Sequence, residues 1–562
     1  MEIKNRPQAR GAFLVALLSI ALLSSTVSGW PQQGVAPRPV APLSAAEQTA
    51  SSSVKVETIK EVTAALSADE MQGRGTMQPG GEKAAAYIAD RFARLGLKPL
   101  GDDKTYLQSI NFKAVEFGPE TGLKIGDEQL KLGREFFVSA PYIDKDVSGG
   151  LVFVGYGIVS SALKRNDLAG LDVRGKMVLM MDGPPANVDK KTWEKEELEI
   201  RVLVNLIRQR AAGLIFLTGD TDPDHPFSEA ADYLSRRRVM LASEDETDFP
   251  SFYPSFLSVG KQAAEKMFAG SGVSLTQALA QAESNSFAPI DLKKNASLTV
   301  RVKKSKGTSS NVVGLLEGSD PRLKEEAIVY SAHYDAYGMT DGNRIYHGAA
   351  DNALGVAEMI AIAEAFAKAP VKPRRSIIFL AVTGEEYGLY GAEYWAKNPT
   401  WNIKRVAANL NFDGMGTEVY GPVKTIVGYG AEHSSLGALL NEVAAANKLK
   451  VIGDPIPSEK SFYRSDHYAF VKKGVPALML LGAPEGDAAA WIARMKGWEK
   501  TDYHQPGDII RPDWNWEGPR TLSRLGVVMG MRLAGSDAMP AWLSSSPFNR
   551  ERGTNAPPPP EP

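Results

Sequence analysis

Two glutamates, Glu385 and Glu386, stand side by side in "VTGEEYGLYGAEYW", just after an apolar run that ends at Val382. Adjacent carboxylates at the mouth of a buried strand can divide labour, one holding a cation while its neighbour moves a proton. Groups of the same kind recur at expected strand ends or in the loops beyond them: His333 and Asp335 in "SAHYD", Asp351 in "GAADNA", Asp413 in "NFDGMG" and His504 in "DYHQPGD". Taken singly, each reads as a capping residue or a satisfied core residue. Gathered in one cleft, the carboxylates would repel one another, so cations are needed to make the cluster tolerable. Two imidazoles with three carboxylates suit Zn2+, and two such ions roughly 3.5–4 Å apart could share one carboxylate. The chemistry expected is that of a dinuclear hydrolase.

The elements that must position these groups alternate in type. "AIVYSAHYD", "RSIIFLAVTGEE", "RVAANLNFDGMG" and "VPALMLLGA" read as strands, while "LGVAEMIAIAEAFAKA" and "YGLYGAEYWAKN" read as helices. Nearly continuous apolar strands in rotation with helices predict an α/β fold with a mainly parallel sheet covered on both faces. Ligands bind such sheets beyond the carboxyl ends of the strands, where the candidate groups fall. Upstream, "GGEKAAAYIADRFARLGLKP" places Ala84, Tyr87, Ile88, Phe92 and Leu95 on one helical face, with Gly96 as the C-terminal cap and Pro99 beyond it. Between about 148 and 287 the texture changes to short β-type runs broken by charged, Pro-containing loops, which predicts a separate β-rich insertion.

Bulk properties bound the alternatives. At 562 residues the chain exceeds one ordinary core. Its 64 Lys plus Arg nearly balance 66 Asp plus Glu, leaving no electrostatic footprint for nucleic acid or an anionic membrane. Residues 1–29 read as a signal peptide: Lys4, Arg6 and Arg10 precede "AFLVALLSIALL", a run too short to span a bilayer comfortably, and small residues follow it. The expectation is an exported protein, periplasmic or extracellular, without stable membrane insertion after cleavage. Residues 30–53 read as a flexible leader and 541–562 as a disordered tail, because both are Pro-rich and lack an apolar period. There is no cysteine, so thiolate chemistry and disulfides are unavailable and any metal must be held by His, Asp and Glu.

The ordered motifs H-x-D, D-N, G-E-E, N-x-D-x-x-G and Y-H-x-x-x-D resemble those of the di-zinc aminopeptidases and glutamate-carboxypeptidase-like enzymes, family twenty-eight of the metallopeptidases. The resemblance runs from about 54 to 535 and implies a mixed sheet sandwiched by helices. It implies that 54–147 and 288–540 form the catalytic domain, and that His333 and Asp413 hold one zinc, Glu386 and His504 the other, with Asp351 bridging both. Glu385 would be general base and acid, the Asp335 carboxylate would fix the tautomer of His333, and the Tyr503 hydroxyl would steady the oxyanion. A cis Asp351–Asn352 bond is implied as well. "RSDHYAF", with Asp466 and His467, matches a motif beside the substrate cleft, where His467 is expected to be substrate-side or structural. His347 is expected at the rim, and His225 and His433 in solvent. Relatives often carry an acid where Ala350 stands and Ser where Leu354 stands. The stretch 148–287 resembles a protease-associated domain, which relatives place over the cleft.

The expected activity is removal of N-terminal residues from peptides. A glutamate-type carboxypeptidase and a single-zinc glutaminyl-cyclase-like acyltransferase remain as alternatives; a transferrin-receptor-like binding protein would lack ligands that are present here. Neither G-x-S-x-G nor H-E-x-x-H occurs, which argues against serine-hydrolase and thermolysin-like chemistry.

Overall fold

A computed structural model describes residues 41–560, apart from 141, 196, 219–226, 244–252, 341–343, 415 and 485–487. The signal peptide and His225 lie outside the described residues. The chain divides into two compact units, the larger built from residues 34–114, 238–245 and 305–562 and the smaller taking 115–237 and 246–304. The division falls earlier than the expected 148, because the strands Gly122–Ile125 and Phe136–Ala140 already pair within the smaller unit's sheet. That sheet has eight strands and closes over its own apolar core.

The larger unit is organised on a mixed sheet with strands β1 (Leu107–Phe117), β2 (Arg238–Leu241), β3 (Val302–Leu316), β4 (Ala327–His333), β5 (Ser376–Val382), β6 (Val406–Asn411), β7 (Val423–Tyr429), β8 (Lys450–Ile452) and β9 (Ala477–Pro484). Their order is β2-β1-β3-β5-β4-β6-β9-β7-β8, with Lys98–Pro99 paired to β3. The four central strands run parallel, β5 with β4, β4 with β6 and β6 with β9, while β3 and β7 join them antiparallel. Every residue of β4, β5 and β6 is buried. Period-2 geometry divides their side chains between two cores: Ile328, Tyr330 and Ala332 enter one, Ala327 and Val329 the other. Strands covered on both faces need no polar alternation, hence the continuous apolar runs.

Helix α1 (Val56–Leu66), helix α2 (Leu354–Ala367) and helix α3 (Glu517–Gly535) pack together on the first face, and α2 is buried along almost its whole length. The expected helix forms over Pro79–Arg94, buries Ala84, Ile88 and Phe92, and ends before Gly96 at φ +72°. Among the described residues no helix is long and apolar enough to cross a membrane.

Two terminal expectations are corrected. Ala45–Ser52 is helical rather than a flexible leader, because Ser44 and Glu47 form a reciprocal capping box and Glu47 pairs with Arg532 at 2.9 Å. The segment after 540 is anchored rather than disordered: Phe548 is buried in the second core, the Trp542 indole N–H donates to the Gly474 carbonyl at 3.0 Å, and Arg552 donates to the Val406 carbonyl at 3.1 Å.

Candidate metal centre

The parallel strands deliver the candidate groups to one end of the sheet. His333 is the last residue of β4, Asp413 follows β6 by two residues, and Glu385 and Glu386 follow β5 across Gly384. Gly384 sits at φ +72°, where a Cβ would approach Phe112 and Tyr390, so the turn that presents the glutamates favours glycine on both counts. Asp351 lies in the Ala349–Ala353 turn before α2, and its bond to Asn352 is cis as expected. His504 follows the helix Ala488–Thr501.

Asp351 turns one oxygen to each imidazole. Its Oδ1 is 3.2 Å from His333 Nε2 and its Oδ2 is 3.4 Å from His504 Nε2. Each imidazole also meets a second carboxylate: His333 Nε2 stands 3.2 Å from Asp413 Oδ1, and His504 Nε2 3.0 Å from Glu386 Oε2. Two triads result, His333–Asp351–Asp413 and Asp351–Glu386–His504, sharing Asp351. Nitrogen and oxygen ligands about 2.0–2.1 Å from a tetrahedral zinc stand about 3.3 Å apart, so these separations fit a zinc ion in each triad. The donor set fits as well, since Glu386 Oε2 is buried without a well-formed hydrogen bond.

The electrostatics show what a cation would relieve. Burial would lower the His333 imidazole, but Glu385 and Asp413 outweigh it and push it well above the usual histidine range. Burial likewise opposes the His504 imidazole, yet Glu386 and Asp351 push it up to about 10. The Glu385 carboxyl is raised well above its ordinary value by burial, with Asp413, Asp466 and Glu386 adding to the effect and His333 opposing it.

Asp335 acts differently from expectation. The His333 Nδ1–H donates to the main-chain carbonyl of Asp335 at 3.1 Å, while the nearest carboxylate oxygen lies 3.9 Å away, too far for a hydrogen bond. That carboxylate accepts the Glu385 N–H and the Thr76 hydroxyl, each at 3.2 Å. It anchors the glutamate turn, and the carbonyl of the same residue sets the imidazole. Tyr503 stacks on His504 with ring centroids 3.6 Å apart, and its hydroxyl accepts from Arg464 Nη2 at 3.5 Å.

Several supporting residues were not anticipated. Arg74, fully buried, donates to the carbonyls of Leu66, Tyr334, His347 and Gly348, tying together the segments around His333 and Asp351. Asp508, the last residue of the Y-H-x-x-x-D motif, accepts the N–H groups of Ala350 and Asp351 at 2.8 and 2.9 Å. The Ser465 hydroxyl donates to Asp413 Oδ2, and Tyr337 contacts His504. Ser465 lies inside the motif stretch "RSDHYAF" and Tyr337 two residues beyond "SAHYD", a signal of position without a signal of role.

Three further histidines lie among the described residues. His347 pairs with Asp69 at 2.9 Å, and His467 is fully buried and held neutral, its pKa lowered to about 4 by burial. His433 is not solvated as expected: it packs between Phe462 and Phe548, and burial lowers its pKa. Ala350 and Leu354 are both buried in the apolar core.

Residues 311–526 match the model of Peptidase family M28. A vacuolar membrane protease of Clavispora lusitaniae is 36% identical over 108 residues, 19% of this chain and 10% of that protein. A "Probable zinc metalloprotease" of Leptosphaeria maculans is 39% identical over 113 residues, 19% of this chain and 25% of that one. The chain thus spans a tenth to a quarter of these curated relatives. Among solved structures, an aminopeptidase from Aneurinibacillus sp. strain AM-1 superposes with a TM-score of 0.55 at 20% identity, covering 87% of this chain and 96% of that one. A zinc aminopeptidase from Bacillus subtilis gives 0.53 at 18% identity, covering 89% and 98%. These two show that the fold is shared. The segment that matches the family model contains His333, Asp351, Glu385, Glu386, Asp413 and His504.

Proposed function

We propose that the protein is an exported two-zinc aminopeptidase that removes N-terminal residues from peptides. The observation that carries this reading is the single Asp351 carboxylate set between two imidazoles, each facing a further carboxylate. His333 and Asp413 would hold one zinc, Glu386 and His504 the other, and Asp351 would touch both. Zinc so bound supplies Lewis acidity, which polarises a carbonyl and lowers the pKa of water toward neutrality.

The chain's own residues supply the rest. Glu385, pinned through its N–H by Asp335, takes the proton of the attacking water and returns it to the leaving amine. The Tyr503 hydroxyl, backed by Arg464, donates to the oxyanion. The aminopeptidase names of the solved structures that share the fold support an amino-terminal specificity, and the N-terminal apolar run supports export. The smaller unit is proposed to be a protease-associated domain, on the strength of its β-rich sheet and of the resemblance of residues 148–287 to one.

A panel of aminoacyl chromogenic amides, assayed beside amino-blocked peptides ending in glutamate, tests this reading. Chelator-sensitive cleavage of the amides alone supports it. Cleavage of the blocked peptides points instead to a carboxypeptidase, and cyclisation of N-terminal glutamine without hydrolysis to the acyltransferase.

A further inference from the structure

The two triads hold their imidazoles by different means. The tautomer of His333 is set locally, by a main-chain carbonyl two residues on. His504 depends on a side chain 167 positions earlier: its Nδ1 lies 3.2 Å from the hydroxyl oxygen of Tyr337. The same hydroxyl lies 3.4 Å from the main-chain carbonyl of Glu386. For His504 to present a lone pair at Nε2, its Nδ1 must carry the hydrogen and donate it to the tyrosine oxygen. The phenol hydrogen is then directed to the carbonyl of Glu386, its acceptor in the structure. One hydroxyl thereby joins His504 and Glu386, the two residues that complete the second triad with Asp351.

The ring of Tyr337 is placed to keep that hydroxyl still. It meets the His504 ring edge-on at 4.9 Å and packs edge-on against Tyr346 at 6.1 Å and Tyr387 at 5.9 Å. Tyr337 is 6% exposed, so solvent does not readily substitute for its hydroxyl.

We propose that Tyr337 is a positioning residue for the Glu386–His504 zinc, and that this ion is the more easily lost of the two. The inference rests on the two-zinc reading. Outer hydrogen-bond partners of metal ligands typically change affinity by about 10- to 100-fold, and only one of the two triads depends on this one.

Zinc binding by the full chain, measured by competition with a chromogenic chelator, tests the proposal. Wild-type protein should release its two ions in separable steps. Tyr337→Phe keeps the ring and removes the hydroxyl; it should weaken one ion by about 10- to 100-fold and leave the other within about twofold. Tyr346→Phe, which removes a neighbouring hydroxyl outside both contacts, should leave both steps in place. A metal-free melting temperature shared by Tyr337→Phe and wild type would show that packing is intact. Unchanged affinity for both ions in Tyr337→Phe, equal weakening of both, or a single release step in wild type would overturn the inference while leaving the two-zinc reading standing. Fewer than two ions on the wild-type chain would overturn both.

Discussion

The Asp335 carboxylate accepts the main-chain N–H of Glu385 at 3.2 Å, across the gap between β4 and β5. Removing that carboxylate should therefore disturb the glutamate turn more than the imidazole. Asp335→Ala should lower kcat by at least about tenfold, while zinc affinity at His333 changes by less than about threefold because the main-chain carbonyl remains. Turnover and metal titration on the same preparation check this. Loss of zinc in step with loss of activity would return the tautomer role to the carboxylate.

Arg74 makes four hydrogen bonds to main-chain carbonyls from a fully buried guanidinium. Burial lowers its pKa to about 10, and the surrounding carboxylates, Asp508 first, oppose the shift. Arg74→Met should destabilise the larger unit by about 3–5 kcal/mol, since several carbonyls lose their donors and nearby carboxylates lose a counter-charge. Arg74→Lys should rescue little, because an ammonium cannot reproduce the planar fork. Urea unfolding of both variants measures this.

The arrangement was legible from sequence where a chemical group follows a long apolar run, as with His333, Glu385, Glu386 and Asp413. There the strand and its carboxyl end are read together. The contacts of Arg74 with Tyr334, His347 and Gly348 and of Tyr337 with His504 were not legible, because they reach across 167 to 274 residues and an arginine in "MQGRGTM" looks like any solvated charge. The helix at Ala45–Ser52 had a local signature, Ser44 followed three residues later by Glu47, which the Ala- and Ser-rich composition around it obscured. The chain after 540 was misread for the opposite reason. Its Pro content suggested disorder, while its stability comes from Trp542 and Phe548 entering a core assembled from distant segments.

Glu418 offers a test by pH. Its carboxyl is fully buried, and burial pushes its pKa up to about 7. The folded pKa lies above the ordinary 4.5, so between these values the native state binds more protons than the unfolded one. Stability is then lost as pH rises from about 4.5 to 7, and the penalty is constant above that window. Glu418→Gln should consequently match wild type near pH 4 and exceed it near pH 8 by up to about 3 kcal/mol. Denaturant midpoints at the two pH values decide the matter, and a difference independent of pH would remove the argument.

Glu385 and Glu386 are adjacent yet assigned opposite work. Glu385→Gln should lower kcat by about 10²- to 10⁴-fold with both zinc ions retained, whereas Glu386→Gln should lose an ion. Metal content measured beside single-turnover rates separates the roles, and loss of zinc from Glu385→Gln would exchange them.

Asp351 is proposed to stand between two cations, and elemental zinc content per chain tests this most directly. The purified protein, loaded with zinc and freed of excess, should hold two ions, and Asp351→Ala should hold fewer than one under the same treatment. A single ion on the wild-type chain, or two on Asp351→Ala, would contradict the shared-carboxylate site.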